Sequence, residues 1–274
     1  MESFSLRLQR ATAERGPLCV GLDPAPQTLH SWGLADTVQG LEQFSQRCVE
    51  AAHDLVACIK PQVAFFERFG SQGFAVLEHT IRTAREAGLL VIADAKRSDI
   101  STTAAAYGAA WFGETAPLAA DALTVTPYLG LHALQPIFEQ AQQANCGVFV
   151  VVSSSNPEGR ELQLARVGSA TVEEALFGAI GELNAAASEP YLGAVLGATR
   201  PFDREPVSKM SGPLLIPGLG AQGATPQDVG ERFSTLANTL VVAVSRAWTD
   251  AGPLNEDLRA RASELQQALH SALS

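Results

Sequence analysis

The stretch Leu89-Leu-Val-Ile-Ala-Asp-Ala-Lys96 joins five consecutive apolar residues directly to an aspartate and a lysine. An apolar run of this length, ended by polar residues, is typical of a strand that is buried on both faces. Because side chains alternate along a strand, Asp94 and Lys96 are predicted to leave its end on the same face. Charged groups in a buried layer are costly unless they are paired. The pair therefore indicates either a site with chemistry or a solvated turn that carries a surface ion pair.

Seven further apolar runs occur along the chain, and most are separated by stretches long enough to hold a helix. Apolar strands that alternate with amphipathic helices predict a parallel sheet covered by helices. Eight such units predict a closed (β/α)8 TIM barrel of the α/β class. An open, doubly wound sheet is the alternative, because strand closure is not visible in one sequence. The eight predicted strands are residues 18–22, 56–59, 89–93, 122–125, 148–152, 192–196, 214–216 and 240–244.

Composition and charge narrow the class of protein. The 274 residues, 46% hydrophobic and 18% charged, predict a single barrel domain over residues 1–274. A net charge of −10 disfavours binding to nucleic acid or to an anionic membrane, although a local cationic pocket could hold an anionic ligand. No apolar stretch approaches the ~18 residues of a membrane span, and no secretory signal pattern begins the chain, so we expect a cytoplasmic protein. The four scattered cysteines predict reduced thiols rather than disulfides or a structural metal site.

The residue after each strand is decisive in a barrel, because barrel enzymes place their chemistry at the carboxyl ends of the strands. Asp23 follows the first predicted strand, Lys60 follows the second, and Asp94 and Lys96 follow the third. Each has an ordinary explanation as a turn or strand-end residue. Together, charges of alternating sign in one enclosed pocket would keep one another ionised and polarise whatever lies between them.

The later strand ends carry polar and glycine-rich loops. Residues 153–156, Ser-Ser-Ser-Asn, could hydrogen-bond the edge of a polar ring, or could form an ordinary polar turn. Residues 217–223, Pro-Gly-Leu-Gly-Ala-Gln-Gly, follow the seventh strand, and Ser245 and Arg246 follow the eighth. Glycine exposes backbone N–H groups and arginine pairs with phosphate, and these loops are the usual phosphate site of barrels. The pattern favours a phosphate site over a simple tight turn.

These motifs resemble those of the orotidine 5′-phosphate decarboxylase family, in its longer bacterial form, known as type 2. The D-x-K-x-x-D signature of that family stands here as residues 94–99, Asp-Ala-Lys-Arg-Ser-Asp, followed by Ile100. The resemblance spans nearly the whole chain. It implies a carboxy-lyase that converts orotidine 5′-phosphate to UMP and CO2, the last step of de novo pyrimidine synthesis, without a cofactor or a metal. Further matching motifs, in order, are residues 21–24, 59–61, 154–157, 217–223 and 245–246.

The resemblance also implies a role for individual residues. Lys96 would stabilise and protonate the carbanion at C6, and Asp99 would reach the site of the partner subunit, so a homodimer with shared sites is expected. Ser155 would read the pyrimidine, with Ser154 as the alternative. The implied catalytic residues are Lys60, Asp94, Lys96 and Asp99. The implied substrate-binding residues are Asp23, Ile100, Thr103, Ser155, Pro217, Gly220, Gln222 and Arg246.

Three other functions fit parts of the pattern. Related barrels use a similar D-x-K-x-x-D motif to bind Mg2+ in sugar-phosphate decarboxylases and aldolases. A nucleotide-binding module without catalysis is a second alternative, and an aldolase with a Schiff-base lysine is a third. Against the last, a lysine between two carboxylates should stay protonated and be a poor nucleophile. No chemical role is predicted for residues 158–190, although residues 172–183 are predicted to form a helix.

Overall fold

The computed structural model describes residues 2–199, 202, 204–220, 222–236 and 239–274. Within them, the eight predicted strands form a closed parallel barrel, in which each strand pairs with the next along the chain and the last pairs with the first. The prediction of a TIM barrel is confirmed, and the open-sheet alternative is wrong. The strands are β1 Leu18–Leu22, β2 Cys58–Pro61, β3 Leu90–Arg97, β4 Ala122–Val125, β5 Gly147–Ser153, β6 Leu192–Leu196, β7 Leu214–Pro217 and β8 Leu240–Val244.

Two strands differ from their predicted bounds, and both carry charged residues of interest. Strand β2 begins and ends two residues later than predicted, so Lys60 lies inside the strand and is buried. Strand β3 continues past the apolar run to Arg97. Its register against β4 shifts between Ala93 and Arg97, which marks a bulge. The charged residues are therefore part of the barrel wall and do not lie in loops beyond it.

The helices pack their apolar stripes against the outside of the barrel. Helix α5 buries Leu77, Ile81 and Ala84, which recur at helical spacing. None of the described helices has the length and apolarity that crossing a membrane would require. The helices are α1 Phe4–Arg15, α2 Pro26–Ser31, α3 Val38–Ala52, α4 Val63–Glu67, α5 Gly70–Glu86, α6 Ser101–Trp111, α7 Gln135–Gln143, α8 Arg160–Gln163, α9 Val172–Ala185, α10 Arg204–Lys209, α11 Pro226–Phe233, α12 Arg246–Thr249 and α13 Asn255–Leu273.

Helix α1 closes the amino-terminal end of the barrel, a feature that the sequence analysis missed. Phe4 and Leu8 are buried in one cluster with residues of the barrel strands. The Phe4 ring packs edge-on against Phe149 of β5, with 6.0 Å between the ring centroids. Arg7 of the same helix forms an ion pair with the buried Asp121, which directly precedes β4. The opposite, carboxyl-terminal end of the barrel is therefore the end left for a site.

The segment between β5 and α9 lies outside the barrel wall. It contains a short 3₁₀ helix Pro157–Gly159, helix α8, and a hairpin of two-residue strands, Arg166–Val167 and Ala170–Thr171. The predicted helix over residues 172–183 is observed as α9. It begins with a capping box, in which the Thr171 hydroxyl accepts from the Glu174 N–H at 3.2 Å and the Glu174 carboxylate accepts from the Thr171 N–H at 2.6 Å.

Candidate active site

A buried carboxylate lies at the centre of the charged cluster at the carboxyl end of the barrel. The Asp94 side chain is 11% exposed and contacts two lysines, one through each oxygen. Lys60 Nζ lies 3.0 Å from Asp94 Oδ2, and Lys96 Nζ lies 2.6 Å from Asp94 Oδ1. Asp94 and Lys96 lie within β3 and not in a turn, and the Asp94 carboxylate is shared between the buried Lys60 and the half-exposed Lys96.

A threonine of the neighbouring strand connects the two residues of the signature. The Thr124 hydroxyl donates to Asp94 Oδ1 at 2.9 Å and accepts from the Lys96 backbone N–H at 3.0 Å. Lys96 has a φ of 48°, in the left-handed region that residues other than glycine rarely adopt. Such strain persists only where the surroundings hold it, and Thr124 is one such support. Sequence analysis missed Thr124, although a threonine inside a buried apolar strand was the available signal.

A glutamine after β2 supports Asp94 from the other side. With its amide nitrogen turned toward Asp94, the Gln62 side chain donates to Asp94 Oδ2 at 2.6 Å and to the Asp94 carbonyl oxygen at 3.1 Å. The sequence analysis also missed this contact, because Gln62 is uncharged and follows directly after Lys60-Pro61. The Asp94 carboxylate thus has partners on β2, β3 and β4, which fix its position and orientation.

The mutual effect of these charges appears in the pKa of the buried groups. Burial opposes ionisation of Asp94, but the charges of Lys60 and Lys96 outweigh burial and hold the pKa of Asp94 well below its usual range. Burial likewise disfavours the Lys60 cation, but the carboxylates of Asp94 and Asp23 outweigh it and raise the pKa of Lys60. Both groups are therefore charged at neutral pH.

A cavity of about 310 Å³ opens above this cluster and extends across the carboxyl end of the barrel. Asp23 lies on its wall, and the Asp23 Oδ1 atom is buried with no hydrogen-bond partner among the described residues. An unpaired buried acceptor of this kind is suited to a hydroxyl donor on a ligand. The predicted site residues that line the cavity are Asp23, Lys60, Asp94, Lys96, Ser155, Pro217, Gln222 and Arg246.

The far end of the cavity is formed by the loops after β7 and β8. Arg246 is exposed at the start of α12 and lines the cavity together with Gln222. No carboxylate of the described residues pairs with Arg246, so its guanidinium is available to an anion. Gly220 does not line this cavity: its N–H donates to the Ala224 carbonyl at 2.8 Å and its φ is 74°. Gly220 shapes the loop, and Ala221 lies outside the described residues.

Three further predicted site residues do not line the cavity of their own chain. Asp99 accepts a hydrogen bond from the Ile100 N–H at 2.8 Å, where the chain enters α6. Ile100 is 54% exposed, and Thr103 in the first turn of α6 is also exposed. The single chain thus brings together Lys60, Asp94 and Lys96, and leaves these three residues on an outer surface. Among the residues that are described, no group of three His, Cys, Asp or Glu side chains could hold a metal ion.

Comparison with known proteins gives a consistent result. Residues 16–260 match the family described as "Orotidine 5′-phosphate decarboxylase / HUMPS family". The orotidine 5′-phosphate decarboxylase of Salinispora arenicola is 50% identical over 277 residues, which covers 100% of this chain and 99% of the relative. That of Corynebacterium glutamicum is 47% identical and covers 92% of each chain.

Solved structures with the same fold are also similar in sequence. A crystal structure from Streptomyces avermitilis superposes with a TM-score of 0.93 at 45% identity, covering 100% of this chain and 96% of that one. The structure of Leishmania donovani OMP decarboxylase has a TM-score of 0.80 at 33% identity, covering 99% and 98%.

Proposed function

The chain belongs to the orotidine 5′-phosphate decarboxylase / HUMPS family, and we propose that it is a carboxy-lyase that converts orotidine 5′-phosphate to UMP and CO2. This reaction is the last step of de novo pyrimidine synthesis. The observation that carries the proposal is the buried Asp94 held between Lys60 and Lys96, at one end of a cavity whose other end presents Arg246.

The cavity offers a separate partner for each part of the substrate. Arg246 and Gln222 bind the 5′-phosphate at one end, where a guanidinium can pair with phosphate oxygens. Asp23, with its unpartnered buried oxygen, accepts a hydrogen bond from a ribose hydroxyl. Ser155 hydrogen-bonds the pyrimidine edge. In the proposed binding mode, the substrate carboxylate and the C6 atom that carries it lie beside Lys96 and Asp94.

The chemical difficulty is the charge that forms at C6. When the bond from C6 to the carboxylate carbon breaks, CO2 leaves and the electron pair stays on C6 in the plane of the ring, where the π-system does not delocalise it. The Lys96 ammonium offsets that charge and then donates its proton to C6, which yields UMP. Lys96 regains a proton from water. Asp94 and Thr124 hold Lys96 in place for this step.

No cofactor takes part in the proposed reaction, and this is directly testable. Loss of orotidine 5′-phosphate absorbance is measured with the wild-type protein in EDTA and again with added Mg2+, and UMP is identified as the product by chromatography. Equal rates under both conditions support the proposal. A requirement for Mg2+, or no turnover by folded protein, would move the assignment to the sugar-phosphate chemistry of related barrels.

We propose a homodimer in which Asp99, Ile100 and Thr103 complete the site of the partner subunit. The proposal is supported by apolar exposure on this face: besides Ile100, Tyr128 is 76% exposed and Leu129 is 51% exposed. The loops that carry these residues are adjacent, because the Thr126 N–H donates to the Arg97 carbonyl at 3.0 Å. A C₂ interface would place each Asp99 near the other subunit's cavity.

Subunit complementation tests the shared site. Lys96→Ala and Asp99→Ala dimers are each expected to be inactive, whereas a mixture that is unfolded and refolded together forms heterodimers with one intact site. Recovered activity supports sharing. If the mixture stays inactive while sedimentation shows that heterodimers have formed, Asp99 acts within its own chain, and full activity of Asp99→Ala alone would mean that Asp99 has no role.

We further propose that residues 1–274 act as one barrel domain in the cytoplasm. The four cysteines are free and buried, as expected for a protein of a reducing compartment. Cell fractionation with an antibody against the chain would test the location.

A further inference from the structure

Residue Gln163, which lies outside the barrel wall, contacts the loop proposed to read the pyrimidine. It is the last residue of α8, in the segment between β5 and α9. Its Nε2 donates to the Ser154 hydroxyl at 2.8 Å, and its Oε1 accepts from the Ser154 backbone N–H at 3.3 Å. Two contacts from one planar amide fix both the position and the rotation of Ser154.

The same loop also contacts the end of β6. The Gly197 N–H donates to the Ser153 carbonyl at 2.8 Å. A Cβ atom at position 197 would lie 2.8 Å from the Ser155 Cα and 3.0 Å from the Ser155 backbone nitrogen, which is closer than real Cβ atoms approach backbone. Only glycine therefore allows this contact. Contacts with Gly197 and with the amide of Gln163 therefore hold the loop in position.

The packing around Gln163 is equally close. A Cβ atom at Gly159 would lie 2.6 Å from the Ser154 Oγ and 2.9 Å from the Gln163 Nε2. The chain between β5 and α8 thus turns back tightly enough to place the amide on Ser154. A side chain at position 159 would therefore crowd the contact between Gln163 and Ser154.

The two adjacent serines differ in their contacts. Ser154 and Ser155 both line the cavity, but the Ser154 hydroxyl is already engaged by Gln163. Ser155, whose backbone is fixed by Gly197, follows immediately along the chain. Gln163 holds the N–H and the hydroxyl of Ser154, and Gly197 lies against the Ser155 backbone, so together the two contacts restrict the dihedral angles by which the chain passes from Ser154 to Ser155.

We infer that Gln163 is a positioning residue for recognition of the pyrimidine: by holding Ser154 it sets the direction in which Ser155 faces the ring. This inference rests on the proposed function. It gives the segment between β5 and α9 a role in substrate selection, through Gln163, without contact between Gln163 and the substrate. The reacting cluster around Asp94 is not affected by it.

The test compares two ligands that share ribose and phosphate but differ in the base. In Gln163→Ala, the inhibition constant of UMP should rise about tenfold, as for the loss of a hydrogen-bonded support, while that of ribose 5-phosphate stays unchanged. The value of kcat/KM for orotidine 5′-phosphate should fall by a similar factor. Gln163→Glu keeps acceptors for both Ser154 groups and should retain most of the UMP affinity. Glu161→Ala, an exposed change in the same helix, is the matched control.

The outcomes separate this inference from the function on which it rests. If wild-type protein does not decarboxylate orotidine 5′-phosphate, the proposed function fails. If wild type is active and Gln163→Ala binds UMP as tightly as before, the positioning role alone is overturned. Equal weakening of UMP and ribose 5-phosphate would also overturn it, because the amide would then support the whole site and not the base. Should Gln163→Ala fail to fold, Gln163→Met is measured by the same ligand pair.

Discussion

Two buried carboxylates stand at opposite ends of the barrel, and each contacts two cationic side chains. Asp94, near the carboxyl end, contacts Lys60 and Lys96. Asp121, before β4 at the amino end, contacts two arginines, of which Arg7 comes from α1. A buried ion pair is not by itself a sign of function, since desolvation can offset its attraction. The difference between the two sites lies in what else surrounds each carboxylate.

At the amino end, both oxygens of the Asp121 carboxylate have protein partners. Asp121 Oδ2 accepts from the Val91 N–H at 2.9 Å, and Arg85 Nε lies 3.7 Å from the same oxygen. Arg7 donates to the Asn145 carbonyl at 3.1 Å as well as to Asp121. These contacts join α1 to the start of the barrel strands. The cluster is suited to holding the fold together.

At the carboxyl end, the cluster keeps groups open toward the cavity. The Lys96 side chain is 47% exposed and its backbone is held at a positive φ. Asp23 Oδ1 has no partner among the described residues. Strained backbone and unpaired polar groups are costly, and they persist where a ligand makes use of them. At the amino end the atom left unpaired, within the part of the chain that the structure describes, is a donor, Arg7 Nε, and the carboxylate is fully paired. The comparison teaches that a half-exposed, strained lysine beside an unpaired carboxylate oxygen, and not the burial of charge, distinguishes the candidate site.

The largest contrast should appear when each carboxylate is changed to its amide. Asp94→Asn and Asp121→Asn should each lower the free energy of unfolding by about 3–5 kcal/mol, because each leaves buried cations without a partner. Only Asp94→Asn should also lower kcat, by at least ~10³-fold, since it removes the charge that holds the lysines. Urea unfolding and the rate per folded molecule measure the two effects. Equal loss of kcat in both variants would contradict the claim that only the cluster at the carboxyl end takes part in the reaction.

A smaller effect is expected at Thr124, whose hydroxyl contacts both Asp94 and the Lys96 backbone. Thr124→Val keeps the shape and removes the hydroxyl, so kcat should fall about 10- to 100-fold with KM nearly unchanged. Thr124→Ser keeps the hydroxyl and should restore most of kcat. Steady-state kinetics on both variants decides the point. A rise in KM with constant kcat would mean that Thr124 acts in binding.

The smallest effect concerns pH. Asp94 has a lowered pKa, so its contribution to stability is present above the ordinary aspartate pKa of about 3.9 and is lost as pH falls through the folded value. Lys60 has a raised pKa, so its contribution is complete below the ordinary lysine pKa of about 10.4 and is lost as pH rises through the folded value. The pair should therefore add no inflection to the kcat profile near neutrality. In Asp94→Asn, loss of the carboxylate should lower the pKa of Lys60. The alkaline loss of kcat that follows from deprotonation of Lys60 should then begin at a lower pH than in wild type.

Most of the fold could be predicted from the sequence because the apolar runs of a parallel barrel are buried on both faces. Six of the eight strands were predicted to within one residue at either end. The bounds of β2 and β3 were wrong because charged residues continue these strands, supported by contacts across the barrel. Helix α1 was missed although Phe4, Leu8 and Ala11 are spaced as a buried helical stripe.

The candidate site was predictable where a residue carries its own chemical signal. The charges of Lys60, Asp94 and Lys96 stood out at strand ends, and the structure brings them together. Alternation predicted that Asp94 and Lys96 would leave the strand on the same face, but sequence spacing does not reveal the register shift between Ala93 and Arg97 or the positive φ of Lys96. Thr124 had only the weak signal of a threonine in an apolar strand, and its partners, like those of Gln62, become clear only when the register between strands is known. The contact between Gln163 and Ser154 could not be predicted, because the segment that carries Gln163 has no strand pattern from which its path could be inferred.

The most direct test of the account is the rate of orotidine 5′-phosphate decarboxylation by Lys96→Ala in EDTA, beside wild type and the exposed-lysine control Lys209→Ala. Because Asp94 keeps Lys60 as a partner, the urea unfolding midpoint of Lys96→Ala should stay close to that of wild type. Its kcat should nevertheless fall by at least ~10⁴-fold, since the cation and the proton donor are both lost. Turnover by folded Lys96→Ala within tenfold of wild type would contradict the claim that this cluster performs the reaction.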